Sequence, residues 1–429
     1  MLRLARSALT ILLLTLAVDL PTQAAPQDAH DISANIQRLH MPHGTIIDPM
    51  FKSEVSTEVY RYTRGADSAI WTGHYLAAEA FRYRATGSPQ ALGNVWRALR
   101  GIRSLIDVTG TNLLARCLMP VAWEDSFEEG VDPQTGIIKG NKRGIITEEA
   151  GHGVYIVAFG GTNYYWIGNT SRDQYSGVFF GLGVAYDMID DASVRSFIRA
   201  DVTRLLDFLL QHNWAVVMPS GAISTVFWHR SDQQLSFLQV GRRVNPTRFD
   251  SIYRSYRSKY APSVAIPIST EVLDDHNSYF KFNLDTINLY NLIRLEDSSY
   301  YRWWYTSAYN LLRRTTDDHG NAHFNMIDRG LKGADSIRDA QTRSLLDEWL
   351  MRPRRDFWVD LRGDVRYPVC GEDRACSPIP VKERVRTDFL WQRSPFLLYG
   401  GGSGTIETAG IDYILPYWMA RYYGVLSGA

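Results

Sequence analysis

The sequence predicts an all-α fold of helical hairpins in series, and three observations carry that expectation. Apolar residues recur at helical spacing in three pairs of segments, each pair joined by a turn short enough to force an antiparallel return. The first two pairs share a five-residue pattern at a fixed offset. Long stretches richer in Gly, Pro and Asn separate the pairs and read as loop excursions containing short strands.

The chain opens with an address. Arg3 and Arg6 precede an apolar run from Leu9 to Val18, and Thr22-Gln23-Ala24 places small residues ahead of Ala25. A basic start, a short apolar stretch and small residues at the cleavage point make residues 1–24 a secretory signal peptide, so a secreted or periplasmic protein is expected. An uncleaved anchor is the alternative, although the apolar run is short for a membrane span, and no later segment approaches one. With no low-complexity linker downstream, residues 25–429 read as one domain.

In the first hairpin Ile70, Trp71, Tyr75, Leu76, Ala78, Phe81 and Tyr83 recur from Ser68 to Thr86. Gly87-Ser88-Pro89 stops that helix, and Leu92, Val95, Trp96, Leu99, Ile102, Leu105 and Ile106 carry a return helix over 90–108. A second hairpin runs from about Asp173 to Ile189 and back from Val194 to Gln211, with Asp191 or Ser193 as N-cap. A third runs from about Ser278 to Leu295 and back from Tyr300 to Arg314. Trp71-Thr-Gly-His-Tyr75 matches Tyr175-Ser-Gly-Val-Phe179, an echo that places a glycine at the same point of two helices, where it would let them approach closely. Residues 111–170 and 214–277 are the excursions. Further helices are expected at Ser336–Met351 and Gly410–Val425, and Gly400 to Gly404 reads as a flexible loop.

Composition narrows the function. The 429 residues carry 46 basic and 46 acidic side chains, a net charge of +0, which offers no broad positive field for nucleic acid. Aromatic residues make up 12% of the chain, suited equally to a large core and to stacking on sugar faces. In an oxidising compartment Cys370 and Cys376, which enclose a short polar loop, are expected to form a disulfide, and Cys117 is expected to be a buried thiol.

The segments Asp67-Ser-Ala-Ile-Trp-Thr-Gly-His-Tyr and Thr170-Ser-Arg-Asp-Gln-Tyr-Ser-Gly, at the starts of two successive hairpins in an exported chain, resemble the α/α-toroid, or six-hairpin, glycosidases and the related polysaccharide lyases. The resemblance is architectural and spans roughly residues 60–320. It implies an α/α toroid, with chemistry where the inner helices begin, and a polysaccharide or oligosaccharide as substrate. No family's catalytic motif matches residue by residue, so the candidate residues come from the sequence itself.

Asp173 is the leading catalytic candidate, because an aromatic loop runs there into a helix start whose dipole would keep a carboxylate ionised, as a general base requires. The plain alternative is an Asp that stabilises its first helical turn. Glu148 and Glu149 are adjacent acids ahead of His152, and their mutual repulsion would raise one pKa toward that of a proton donor; a solvated acidic loop is the other reading. Asp67, Trp71, Arg116, Trp166, Arg172 and Tyr175 are the expected substrate-binding residues, the two arginines as carboxylate binders if the sugar is a uronate. A glycoside hydrolase is the first expectation. A lyase drawing on His229, His276, Asn277, Tyr175 or Tyr279 is the second, and a non-catalytic glycan-binding or envelope assembly protein the third. His319 and His323 beside Asp317 and Asp318 read as a polar turn, Asp274-Asp275-His276 is compatible with calcium or a helix cap, and phosphate-loop, Gly-x-Ser-x-Gly and zinc-helix signatures are absent, so no metal or cofactor is expected.

Overall fold

The computed structural model describes residues 24–121, 150–273, 279–385 and 391–427. Its helices are α1 (Pro26–Asn35), α2 (Ser68–Thr86), α3 (Pro89–Asp107), α4 (Arg172–Met188), α5 (Ala192–Gln211), α6 (Ser231–Val244), α7 (Pro246–Tyr260), α8 (Ala265–Val272), α9 (Phe280–Leu295), α10 (Ser299–Thr316), α11 (Ala322–Lys332), α12 (Ser336–Leu350) and α13 (Ile411–Tyr422). Helix accounts for 58% and strand for 14%, so the class is mixed α and β, and the all-α toroid expected from the sequence is corrected. The strands lie where β-branched and aromatic runs interrupt the helical pattern, and they pair into sheets instead of remaining isolated in loops.

The hairpins α2–α3, α4–α5 and α9–α10 form as their periodicity requires. Gly87 ends α2 in a left-handed conformation at φ 67, and the Ser88 side chain caps α3 by accepting from Ala91 N. Of the two candidate caps for α5, Asp191 serves, accepting from Val194 N at 2.9 Å. Two loop expectations are corrected. Residues 214–277 contain α6, α7 and α8 as well as strands. Helix α6 buries nearly its whole circumference, Gln233, Gln234 and Gln239 included, whereas α7 buries only Phe249 and Tyr253. The polar turn expected around His319 leads into α11, whose first turn is capped by the Asn321 side chain accepting from His323 N and Phe324 N.

Six of these helices, α2, α4, α6, α9, α11 and α13, touch in cyclic order, α13 returning to α2. A second layer packs on them: α3 on α2, α5 on α4 and α6, α7 on α6, α10 on α9, α12 on α11 and α13, and α1 on α13. The tightest crossing is α2 with α4, and it uses the glycines of the repeated pattern. A Cβ on Gly73 would stand 2.0 Å from the Gly177 carbonyl oxygen, and one on Gly181 would stand 2.2 Å from that of Gly73. Only bare backbone fits there. The core inside the ring includes Trp71, Tyr75, Phe81, Tyr175, Phe179, Phe180, Phe237 and Trp418, each worth about 1.5–3 kcal/mol once removed from water.

The strands are β1 (Asp48–Phe51), β2 (Val59–Thr63), β3 (Cys117–Pro120), β4 (Val154–Phe159), β5 (Thr162–Ile167), β6 (Ala215–Val217), β7 (Ile223–Val226), β8 (Arg355–Asp360) and β9 (Tyr399–Glu407). They form antiparallel sheets in the orders β2-β1-β9-β8, β3-β5-β4 and β6-β7. The glycine run at 400–404, expected as a flexible loop, lies within β9. There a Cβ on Gly401 would meet the Phe357 carbonyl oxygen at 2.4 Å, so the glycines allow β9 to lie close against β8. Cys370 and Cys376 are disulfide-bonded, and Cys117 is a buried thiol on β3. Among the described residues no helix is long and apolar enough to cross a membrane.

Candidate active site

The first turns of α2 and α4 are joined by a polar junction assembled from four segments. Asp67 occupies the N-cap position of α2, where an Asp side chain ordinarily accepts from its own helix; here it makes no such bond. Gln174 of α4 takes over that task. Its Oε1 accepts from Ile70 N at 3.0 Å, satisfying a donor of the first turn of α2, and its Nε2 donates to Asp67 Oδ1 at 3.1 Å. Gln392 Nε2 donates to Asp67 Oδ2 at 3.2 Å. Both oxygens of Asp67 are thus held by amides from other elements, and its carboxyl is released from capping.

Arg116, just ahead of β3, ties the two helix starts together. Its backbone N donates to Ile167 O at the end of β5, and its C=O accepts from Ala69 N in α2. Its guanidinium donates to Asn169 O and Ala66 O, each at 3.0 Å, and Nη1 stands 3.9 Å from Asp67 Oδ1. Asn169 enters α4 through a left-handed backbone at φ 48, which Asn tolerates better than most residues.

Asp173, in the first turn of α4, is part-buried in this junction. Burial and then the Asp67 carboxylate push its pKa up, against the pull of Arg116 and Arg172, so that it sits at about 6 where an ordinary Asp has 3.8. The helix dipole alone argues for a permanently ionised base; desolvation and a like charge turn the group toward a proton donor that exchanges near neutral pH. Two carboxyls thus stand at neighbouring helix starts, one held by amides and the other raised to about 6, a separation of character that acid and base catalysis uses.

Gln392 connects the pair to a cavity of about 420 Å³ that it lines together with Tyr279, Phe280, Arg374 and Tyr399. Deeper in the ring lie His74, His323 and Trp391. His74 donates through Nδ1 to Ile70 O and accepts from Asn283 at Nε2, and burial lowers its pKa to about 4, which keeps it neutral. His323 stacks on Trp391 with ring centroids 4.2 Å apart, also as a neutral ring.

The structure brings Asp67, Arg116, Arg172 and Asp173 together. The three aromatic candidates are corrected. Trp71 and Tyr175 are core residues, Tyr175 accepting from Leu114 N, and Trp166 is buried on β5, stacked on Tyr155 at 4.3 Å; buried on all sides, none presents a ring face to a substrate. Glu148 and Glu149 lie outside the described residues, as do His276 and Asn277. Gln174 and Gln392 escaped the sequence reading, since an amide that orients a carboxylate has no motif. Among the described residues no cluster of three or more His, Cys, Asp or Glu is placed to hold a metal ion. No family model, no curated protein and no solved structure matches this chain.

Proposed function

We propose that this protein is a secreted or periplasmic glycoside hydrolase, acting on a polysaccharide or oligosaccharide with Asp173 as proton donor and Asp67 as the second carboxyl. The observation that carries the reading is the pairing itself: Asp173 held at about 6 beside an Asp67 whose oxygens are oriented by Gln174 and Gln392. Glycosidic cleavage needs a carboxylic acid to protonate the leaving oxygen and a carboxylate for the other face of the sugar. Asp173 gives its proton to the bridging oxygen as the bond from that oxygen to the anomeric carbon breaks, and Asp67, not engaged as a cap, takes a proton from the water whose oxygen bonds to that carbon. Arg116 and Arg172 limit how far the Asp173 pKa rises, so that the proton can leave as well as stay.

The test is a product assay of the purified protein on neutral and uronate-containing polysaccharides, reading new reducing ends and unsaturated-sugar absorbance in parallel. Reducing ends without absorbance are expected, and Asp173→Asn or Asp67→Asn should each lower turnover by about 10²–10⁴-fold. Near-normal turnover in both variants, or absorbance that rises with the reducing ends, overturns the assignment.

A further inference from the structure

We infer that the cavity beside Asp67 continues along the β8–β9 sheet into an aromatic platform, Trp358 and Tyr399, that holds a neutral polysaccharide chain as it enters the site. This inference names the substrate class for the hydrolase reading and rests on it.

Trp358 on β8 is 56% exposed. Its ring lies 5.9 Å from that of Tyr399 on the adjacent strand. Tyr399 is held in place on both sides: the Arg362 guanidinium covers its ring at 4.0 Å, and its hydroxyl is hydrogen-bonded to Asp373. Arg362 in turn is clamped by Asp360, with bonds of 3.0 and 2.7 Å. Opposite these rings β9 carries Gly400, Gly401 and Gly402, where any Cβ would strike Val385, the Phe357 backbone or Asp356. The glycines therefore let β9 lie close against β8 and Val385, and the Trp358 ring remains more than half exposed beside Tyr399.

The path is continuous. Tyr399 pairs with Trp358 and also lines the cavity; Gln392 lines the cavity and also bonds Asp67. Flat rings along such a path suit the apolar faces of pyranose units, and the cavity wall supplies donors and acceptors for their hydroxyls. Its charges cancel, with Glu372 and Asp373 against Arg374 and Arg393. The nearby Arg116 guanidinium is engaged with backbone carbonyls. A polyanionic uronate chain finds no net positive charge here, whereas a neutral chain encounters hydrogen-bonding groups of both kinds. The wall is also braced, because the Cys370–Cys376 loop carrying Glu372 to Arg374 is bonded to residues 396–398 through Ala375 N to Phe396 O and Leu398 N to Asp373 O.

The experiment is affinity gel electrophoresis of the full chain carrying Asp173→Asn, in gels containing mixed-linkage β-glucan, xyloglucan, galactomannan or starch, and in gels containing alginate or polygalacturonate. Retardation by at least one neutral polymer is expected. Adding Trp358→Ala should weaken it about tenfold, while Trp358→Phe, which keeps a ring, should restore most of it. Retardation by the uronate polymers alone, by none of the six, or to the same degree with Trp358→Ala overturns the platform. The two readings fail separately: if the platform binds as stated but Asp173→Asn still cleaves the bound polymer, the catalytic assignment falls and the platform stands.

Discussion

Replacing Asp173 with Asn should silence the protein and, at alkaline pH, stabilise it. The fold holds this carboxyl at about 6, chiefly by burial and secondly by the charge of Asp67, whereas in the unfolded chain it has the ordinary 3.8. A carboxyl raised on folding binds its proton more tightly in the native state, so native stability is fullest below about pH 4, falls as pH rises through 6, and stays reduced above. The lost stability is about 1 kcal/mol near pH 4.5 and about 3 kcal/mol near pH 8 before solvent is considered. Partial exposure and screening leave an increment of about 1 kcal/mol between the two pH values. Asn has the same shape and no charge to desolvate. Urea unfolding of both proteins at about pH 4.5 and about pH 8 should therefore show the Asn variant gaining about 1 kcal/mol relative to the native chain as pH rises. Asp201, raised to about 6, and Asp285, raised to about 8, titrate in both proteins and cancel in the comparison. A stability difference that is independent of pH, or that moves the other way, refutes the raised carboxyl and with it the choice of Asp173 as acid. Activity should carry the same signature, with a descending limb near pH 6.

Three further outcomes follow from the packing. Gly73→Ala inserts a methyl group where a backbone carbonyl stands 2.0 Å away and cannot rotate aside, so α2 and α4 must separate; a loss of about 1–3 kcal/mol and a fall of several degrees in Tm are expected by calorimetry. Arg230 donates to Glu271 at 2.7 Å, Asp232 at 2.8 Å and Asp285 at 2.5 Å, all buried, and Arg230→Met should cost about 3–5 kcal/mol in urea unfolding by taking from the buried Asp232 and Asp285 the donor they share. Cys376→Ser opens a short loop, with cysteines six residues apart, whose closure contributes about 2 kcal/mol, and it should raise KM more than it lowers kcat, because the loop forms the cavity wall and not the carboxyl pair.

Local signals made much of the helical layer legible. The boundaries Ser68–Thr86 of α2 follow from apolar residues recurring at helical spacing and stopped by a glycine that can adopt positive φ, and Asp191 caps α5 because its side chain reaches Val194 N without help from the rest of the fold. Two helices were hidden by polar residues in and around them. α6 is surrounded by protein and tolerates buried glutamines that a surface helix would turn outward, and α11 starts beside a glycine yet is secured by Asn321. Strand β9 hides for a related reason: it holds a run of glycines that weaken a strand alone, and contact with β8 makes them necessary. The all-α expectation failed on such segments, whose partners lie far away in the chain.

The same division runs through the site. By itself the sequence determined that Asp67 and Asp173 stand at the starts of two similar helices, that glycines occupy matching points within them, and that Cys370 and Cys376 are close enough along the chain to bond. Tertiary structure decided what those residues became. It set Gln174 on Ile70, so that Asp67 was freed from capping, and brought Gln392 to Asp67 across 325 positions of sequence. It buried Trp71, Trp166 and Tyr175, which sequence had offered to a sugar, and left Trp358 in solvent. Above all it reversed the character of Asp173, because a helix dipole is a property of local structure whereas desolvation and a neighbouring charge exist only once α2 and α4 have packed together.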